Sequence, residues 1–279
     1  MGDLEVRLLL EAIYDRYHYD FRSYAMASLK RRLAQACDAL HVATLSGLQE
    51  LVLHEPESFS RLLQYLTVQV SDMFRDPEFF LALRQQVLPV LATYPSIKIW
   101  CAGCSTGEEA YSLAILLQEE GLLDRSIIYA TDINAQSLRQ AANGVFTLDR
   151  LRGFTENHRR SGGATSLSDF YHASGTRTSA ETGKGLAIMD AALRRKITFS
   201  DHSLATDNVF SEMHLITCRN VLIYFDHALQ TRALQLFADS LVRGGFLGLG
   251  SKESLRFTDA AELFTDVSIP ERIYRRKLA

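Results

Sequence analysis

The sequence predicts an α/β fold in which a small all-α domain precedes a mostly parallel sheet flanked by helices. Three observations predict it. Apolar residues recur at three- and four-residue steps through the first seventy positions. From about Ser96, short apolar runs alternate with helical stretches, the pattern of successive βαβ units. The first of those runs ends in a loop, Gly103 to Gly107, that leads into a helix, where open α/β sheets hold their ligands.

Met26, Leu29, Leu33, Ala36 and Leu40 form one amphipathic stripe, with Arg31 opposite it and Lys30 and Arg32 flanking it. Leu48, Leu51, Val52, Phe59, Leu62, Leu63 and Leu66 continue the helical pattern, interrupted at Pro56. No β-branched run with turn signals appears here, so residues 1–70 read as the all-α domain and residues 71–279 as the second domain. Residues 97–100, between Pro95 and the glycine-bearing loop, read as a buried strand. A helix is expected over 111–117, a second strand over 127–131 ending at Asp132, and a helix over 137–142. Later strands fall at 197–199, 214–217 and 246–249, with a helix over 229–241 before the last. Residues 160–185 interrupt the alternation. They are rich in Gly, Ser and Thr and read as a mobile loop or a small inserted subdomain, whose flanks 170–172 and 186–189 suit a hairpin.

Composition narrows the function. A chain of 279 residues, 47% hydrophobic and 23% charged, is neither disordered nor low-complexity. A net charge of -3 argues against a general nucleic-acid binder. No run of eighteen apolar residues predicts membrane insertion, and the opening residues are too acidic and polar for a secretory signal. A cytoplasmic location is therefore expected. Cys37, Cys101, Cys104 and Cys218 are too few for a disulfide scaffold. The lone Cys101-x-x-Cys104 lacks two further ligands at zinc spacing, so no metal is expected.

The loop Trp100-Cys101-Ala102-Gly103-Cys104-Ser105-Thr106-Gly107-Glu108-Glu109 carries the most chemistry. Gly103 and Gly107 miss the dinucleotide spacing, and Glu108 stands near where a phosphate loop needs Lys. Gly103-Cys104-Ser105-Thr106-Gly107 matches a nucleophile elbow, but the last histidine, His227 beside Asp226, begins a predicted helix and is poorly placed for a triad. Ser105 reads equally as a turn or capping hydroxyl. The remaining reading is a nucleoside pocket without phosphates. Asp132 ends the second strand, about twenty-five residues beyond Gly107, where an acid accepts bonds from ribose hydroxyls. Glu109 would suit a cationic ligand such as the sulfonium of S-adenosylmethionine. Asp132 could instead cap the following helix, and position alone leaves both open.

Four blocks in chain order sharpen this: Ser71-Asp72-Met73-Phe74-Arg75-Asp76; Ala102-Gly103-Cys104-Ser105-Thr106-Gly107-Glu108-Glu109-Ala110-Tyr111-Ser112; Ala130-Thr131-Asp132-Ile133; and Cys218-Arg219-Asn220-Val221-Leu222-Ile223-Tyr224-Phe225. Together they resemble the CheR-type chemoreceptor glutamate methyltransferases over nearly the whole chain. The resemblance implies a helical N-terminal domain and a Rossmann-like class I methyltransferase sheet with a small inserted β subdomain, about residues 155–196. It implies methyl transfer from S-adenosylmethionine to glutamate carboxylates of a bacterial chemoreceptor-like protein, giving methyl esters and S-adenosylhomocysteine without a metal.

By the same resemblance, Gln69, Ser71, Arg75, Gly103, Glu109, Asp132, Ser203, Leu204, Arg219 and Asn220 are expected to bind the cofactor. Arg75 and Tyr224 are expected to be catalytic. The implied partner is an acidic helical region of a receptor, which the Lys30, Arg31 and Arg32 face would dock; a solvated helix face is the alternative. A monomer is expected. The departures are Met73 in the usual F-F-R, Gln69 and Ser203 at cofactor positions, and Gly250-Ser251-Lys252-Glu253-Ser254 where the family more often has a Gly-His-Ser-Glu-like run. They motivate a second reading, a non-catalytic regulator that binds S-adenosylmethionine.

Overall fold

A computed structural model describes residues 2–67, 71–178, 185–256 and 258–278. Four helices come first: α1 (Asp3–Tyr17), α2 (Met26–Leu40), α3 (Leu45–His54) and α4 (Pro56–Leu66). Their apolar stripes, with Val6, Leu9, Ile13, Leu29, Leu33, Leu48, Val52 and Leu62 fully buried, close one core together with Phe21 of the α1–α2 connection. Thr44 caps α3 by accepting from the Gly47 N–H, and Pro56 opens α4 at its first turn, where a missing N–H is harmless.

The basic residues of α2 do not share one open face. Arg31 is exposed, Lys30 pairs with Asp3, and Arg32 is only 4% exposed. The i+3 step from Leu29 turns Arg32 inward, toward the second domain.

Helix α5 (Pro77–Ala82), a π-helical turn (Leu83–Val87) and α6 (Leu88–Leu91) lead into the sheet. Then come β1 (Ile97–Ala102), α7 (Glu108–Glu119), β2 (Ser126–Asp132) and α8 (Ala135–Asn143). A second, three-stranded sheet is built from β3 (Val145–Thr147), β4 (Tyr171–Thr178) and β5 (Gly185–Met189), with α9 (Leu148–Arg160) between β3 and β4. After α10 (Ala191–Arg194) the main sheet resumes with β6 (Ile197–Asp201), β7 (Met213–Cys218), α11 (His227–Ser240), β8 (Leu241–Leu249), β9 (Phe264–Ser268) and β10 (Ile273–Arg276).

The main sheet has the order β6-β2-β1-β7-β8-β10-β9, parallel up to β8 and antiparallel through β10 and β9. Strand β1 shows how it is sandwiched. Ile97, Ile99 and Cys101 face the layer of Phe79, Phe80 and Leu113, while Trp100 and Ala102 face that of Leu234 and Phe237. The chain leaves β1 for β2 on one side and reaches β7 on the other, which opens a crevice at the carboxyl ends of these strands.

The expected hairpin is present, with Tyr171 opposite Met189 and His172 opposite Ile188. Two elements beside this hairpin were not expected. Strand β3 is three residues long, too short for a period to register, and α9 is so polar that only Leu151, Phe154 and His158 mark its buried face.

Candidate functional site

The crevice is an open cavity whose empty space, the solvent at its mouth included, is about 920 Å³. Its wall begins at the loop after β1. The N–H groups of Gly103 and Cys104 both donate to the Thr131 carbonyl, at 2.8 and 2.9 Å, which folds the loop over the end of β2. Gly103 sits at φ 75°, and a Cβ there would lie 2.4 Å from Val221 Cγ2, so glycine is required.

Ser105 donates its N–H to Asp132 Oδ2 at 2.8 Å, and Asn134 donates to Oδ1 at 2.9 Å. The cap of α8 is Asn134, whose side chain accepts from Gln136 and Ser137, so Asp132 is free of that duty. Burial pushes the Asp132 carboxyl up, against the pull of the N–H groups of Asn134, Ser105 and Ile133. The Ser105 hydroxyl is buried with no hydrogen-bond partner among the described residues. It lacks the base a nucleophile needs, and the elbow reading loses its geometry.

Glu109 lines the cavity from the first turn of α7, and Arg219 reaches it at 3.2 Å. The same guanidinium pairs with Asp76 at 2.7 Å, donates to the Arg75 carbonyl at 3.0 Å, and lies 4.2 Å over the Phe79 ring. Arg75 stands between Phe74 at φ 52° and Asp76 at φ 55°. The Phe74 N–H is pinned to the Ser112 hydroxyl at 2.8 Å. Arg75 lines the cavity, and its guanidinium has no partner among the described residues. Ser105 and Asn220 also have positive φ, so strained backbone gathers at the cavity loops, as it does at functional sites.

Tyr224 ends a 3-10 turn, Leu222–Tyr224, and its ring carries the Arg32 guanidinium at 4.2 Å. Arg32 also donates to the Leu66 carbonyl. Tyr24, Leu66 and Thr67 line the cavity with it, so the helical domain forms part of the wall.

The cavity therefore brings together Ser71, Arg75, Gly103, Glu109, Asp132, Leu204, Arg219, Asn220 and Tyr224. Ser203 is not in its lining. The Ser203 hydroxyl accepts from the Ala205 N–H at 3.3 Å and its own N–H donates to Asp207, so it shapes a turn. Gln69 lies outside the described residues.

Residues that motif reading missed are Tyr24, Arg32, Thr67 and His202 in the wall, and Arg150 and Glu253 behind it. Arg150 of α9 donates to the Ser71 carbonyl and to Glu108 at 2.8 Å, and Glu108 is fully buried under the hydroxyl of Thr106. These partners come from distant segments, and no local spacing announces them.

Two carboxylates, one unpartnered guanidinium and a tyrosine thus surround a half-apolar cavity. That set suits a ligand with hydroxyls, a cationic centre and a carboxylate of its own. No helix among the described residues is long and apolar enough to cross a membrane.

Residues 4–67 match the CheR methyltransferase all-alpha domain, and residues 69–273 the CheR methyltransferase SAM binding domain. The chain is 55% identical over 274 residues to the "Putative methyltransferase Cher3" of Pseudomonas putida, covering 98% of this chain and 97% of that one. It is 31% identical over 255 residues to the chemotaxis protein methyltransferase of Vibrio parahaemolyticus, covering 88% and 86%. With the chemotaxis protein methyltransferase of Listeria innocua it is 30% identical over 238 residues, covering 85% and 84%. Among solved structures, N-methyltransferase NodS from Bradyrhizobium japonicum with S-adenosyl-L-homocysteine gives a TM-score of 0.39 at 13% identity, covering 74% of this chain and 89% of that one.

Proposed function

The chain belongs to the CheR methyltransferase family, a family of S-adenosylmethionine-dependent enzymes, and from that premise we propose that it methylates glutamate side-chain carboxylates of a chemoreceptor-like protein. The observation that carries the reading is the pairing, in one cavity, of Asp132 at the end of β2 with the unpartnered guanidinium of Arg75.

The residues fit the cofactor. Asp132 uses one lone pair of each oxygen on a backbone N–H, and a carboxylate offers about four such sites, so two ribose hydroxyls still find acceptors. Glu109 supplies negative charge for the amino-acid or sulfonium end. Arg75 offers a planar fork to a carboxylate. Leu204 gives the adenine an apolar neighbour.

Bound S-adenosylmethionine supplies an already activated methyl group on a cationic sulfur. The acceptor glutamate is ionised at neutral pH, so no general base is required. What this chain contributes is alignment, and positioning alone supplies much of such a barrier reduction. The Tyr224 hydroxyl orients an acceptor oxygen. Arg32, stacked on its ring, keeps that ring in one rotamer. The helical domain excludes water, which strengthens each of these contacts.

The test is a calorimetric titration with S-adenosylhomocysteine, beside the Asp132→Ala variant. Loss of two hydrogen bonds to a charged group should weaken binding by about a hundredfold or more. The parent should also transfer labelled methyl to a chemoreceptor cytoplasmic fragment, in base-labile form. A parent that binds the product yet transfers no methyl would replace this reading with the regulator.

A further inference from the structure

Glu253 lies on the far side of the turn that carries Asn220 and Tyr224. It is 5% exposed, and its carboxylate accepts four backbone N–H groups. Gly250 donates to Oε2 at 2.6 Å and Asn220 to Oε2 at 2.9 Å, while Val221 and Ile223 donate to Oε1 at 2.9 and 3.3 Å. Successive N–H groups around a left-handed residue form a concave nest that favours an anion, and Asn220, at φ 61°, is that residue. The chain supplies the anion itself. Gly250 lets it approach: a Cβ there would lie 2.7 Å from Glu253 Oε2 and 2.8 Å from the Asn220 nitrogen.

We infer that Glu253 is a positioning residue that fixes the Asn220–Tyr224 turn for methyl transfer, an inference that rests on the methyltransferase reading. Four donors saturate the roughly four acceptor sites of a carboxylate, so Glu253 itself has nothing left to offer a ligand. It acts through the turn. On the opposite side of that turn, Asn220, Val221 and Tyr224 line the cavity. Val221 also packs against the β1 loop at Gly103, so a shift in the turn would move both walls. The dependence on charge is specific. An amide in place of the carboxylate keeps one acceptor oxygen but points an NH2 group at two N–H donors.

The experiment uses the full chain, with Glu253→Gln and Glu253→Asp, each also combined with Tyr224→Phe. Affinity for S-adenosylhomocysteine is read by calorimetry, kcat by methyl transfer to a chemoreceptor cytoplasmic fragment, and folding by thermal unfolding. Assays run well below every variant's midpoint. Glu253→Gln should lower kcat at least tenfold while the chain stays folded. In the double variant the two losses should fail to multiply, because both act through one turn. Glu253→Asp keeps the charge but falls one methylene short, and should recover part of the loss. Unchanged kcat in Glu253→Gln, or fully multiplicative losses with Tyr224→Phe, would overturn the inference. Failure of the parent to transfer methyl would instead strike the methyltransferase reading on which it rests, and is seen separately in the parent alone.

Discussion

Arg219 and Arg75 are cations on the same cavity, and their surroundings give them different work. The Arg219 side chain is 1% exposed and holds Asp76, just ahead of α5, and Glu109 in the first turn of α7. The carboxylates it would strand are partly in water, Asp76 at 41% and Glu109 at 14% side-chain exposure, so losing both ties should cost on the order of 1–2 kcal/mol. Arg219→Met should therefore lower the urea midpoint measurably and weaken cofactor affinity with it. Arg75 has no partner among the described residues to strand. Arg75→Met should leave unfolding within about 0.5 kcal/mol of the parent while turnover falls at least tenfold. A large stability loss for Arg75→Met, or none for Arg219→Met, would reverse the assignment. The resemblance of their motif blocks to a known family led us to expect both residues at the site. It did not separate a tie from a free group, since Asp76 and Glu109 lie 143 and 110 positions from Arg219.

Among the elements, those with a strong period were legible and those held by polar ties were not. The five parallel strands announce themselves as apolar runs, and α2 by its stripe. Strand β9, with Thr265 and Asp266 exposed, and the polar helix α9 carry no such signal. What fixes α9 instead is Glu119, at the end of α7. It accepts from His158 of α9 at 3.1 Å, from Arg84 of the π-helical turn at 2.7 Å, and from the Thr165 hydroxyl at 2.8 Å. Burial pushes the Glu119 carboxyl up, but the bonds from His158, Arg84 and Thr165 outweigh it and hold the pKa at about 2. A depressed carboxyl stabilises the fold fully above its unfolded value of 4.5, and that stabilisation fades as pH falls toward about 2. Glu119→Gln should then be less stable than the parent by on the order of 2 kcal/mol near neutral pH. The gap should narrow through the window from about pH 4.5 down to 2, as read by urea unfolding at several pH values. A gap independent of pH would remove charge from the explanation.

At the scale of the whole molecule, the two domains meet across the cavity, and a ligand there must report on both. Tyr24 packs on Phe225 with ring centroids 5.0 Å apart, and the Ala25 N–H donates to the Tyr224 carbonyl at 2.9 Å. The Asp226 N–H returns to the Ser23 carbonyl at 2.9 Å, and Asn134 donates to the Thr67 hydroxyl at 2.9 Å. The Asn220–Tyr224 turn is thus bonded to the segment that opens α2, and the segment after β2 to the end of α4. A ligand that binds only the closed arrangement adds its binding free energy to that arrangement, about 2.7 kcal/mol at a hundredfold excess over Kd. S-adenosylhomocysteine should therefore slow amide hydrogen exchange not only at the ends of β1, β2 and β7 but also in α2 around Arg32 and at the end of α4. Phe225→Ala opens the seam and should uncouple the two, leaving protection at the strand ends and little in the helices. Protection confined to the sheet in the parent would mean that the helical domain is a bystander to cofactor binding. It would then meet the acceptor alone, and the stacking of Arg32 on Tyr224 would be its link to the reaction.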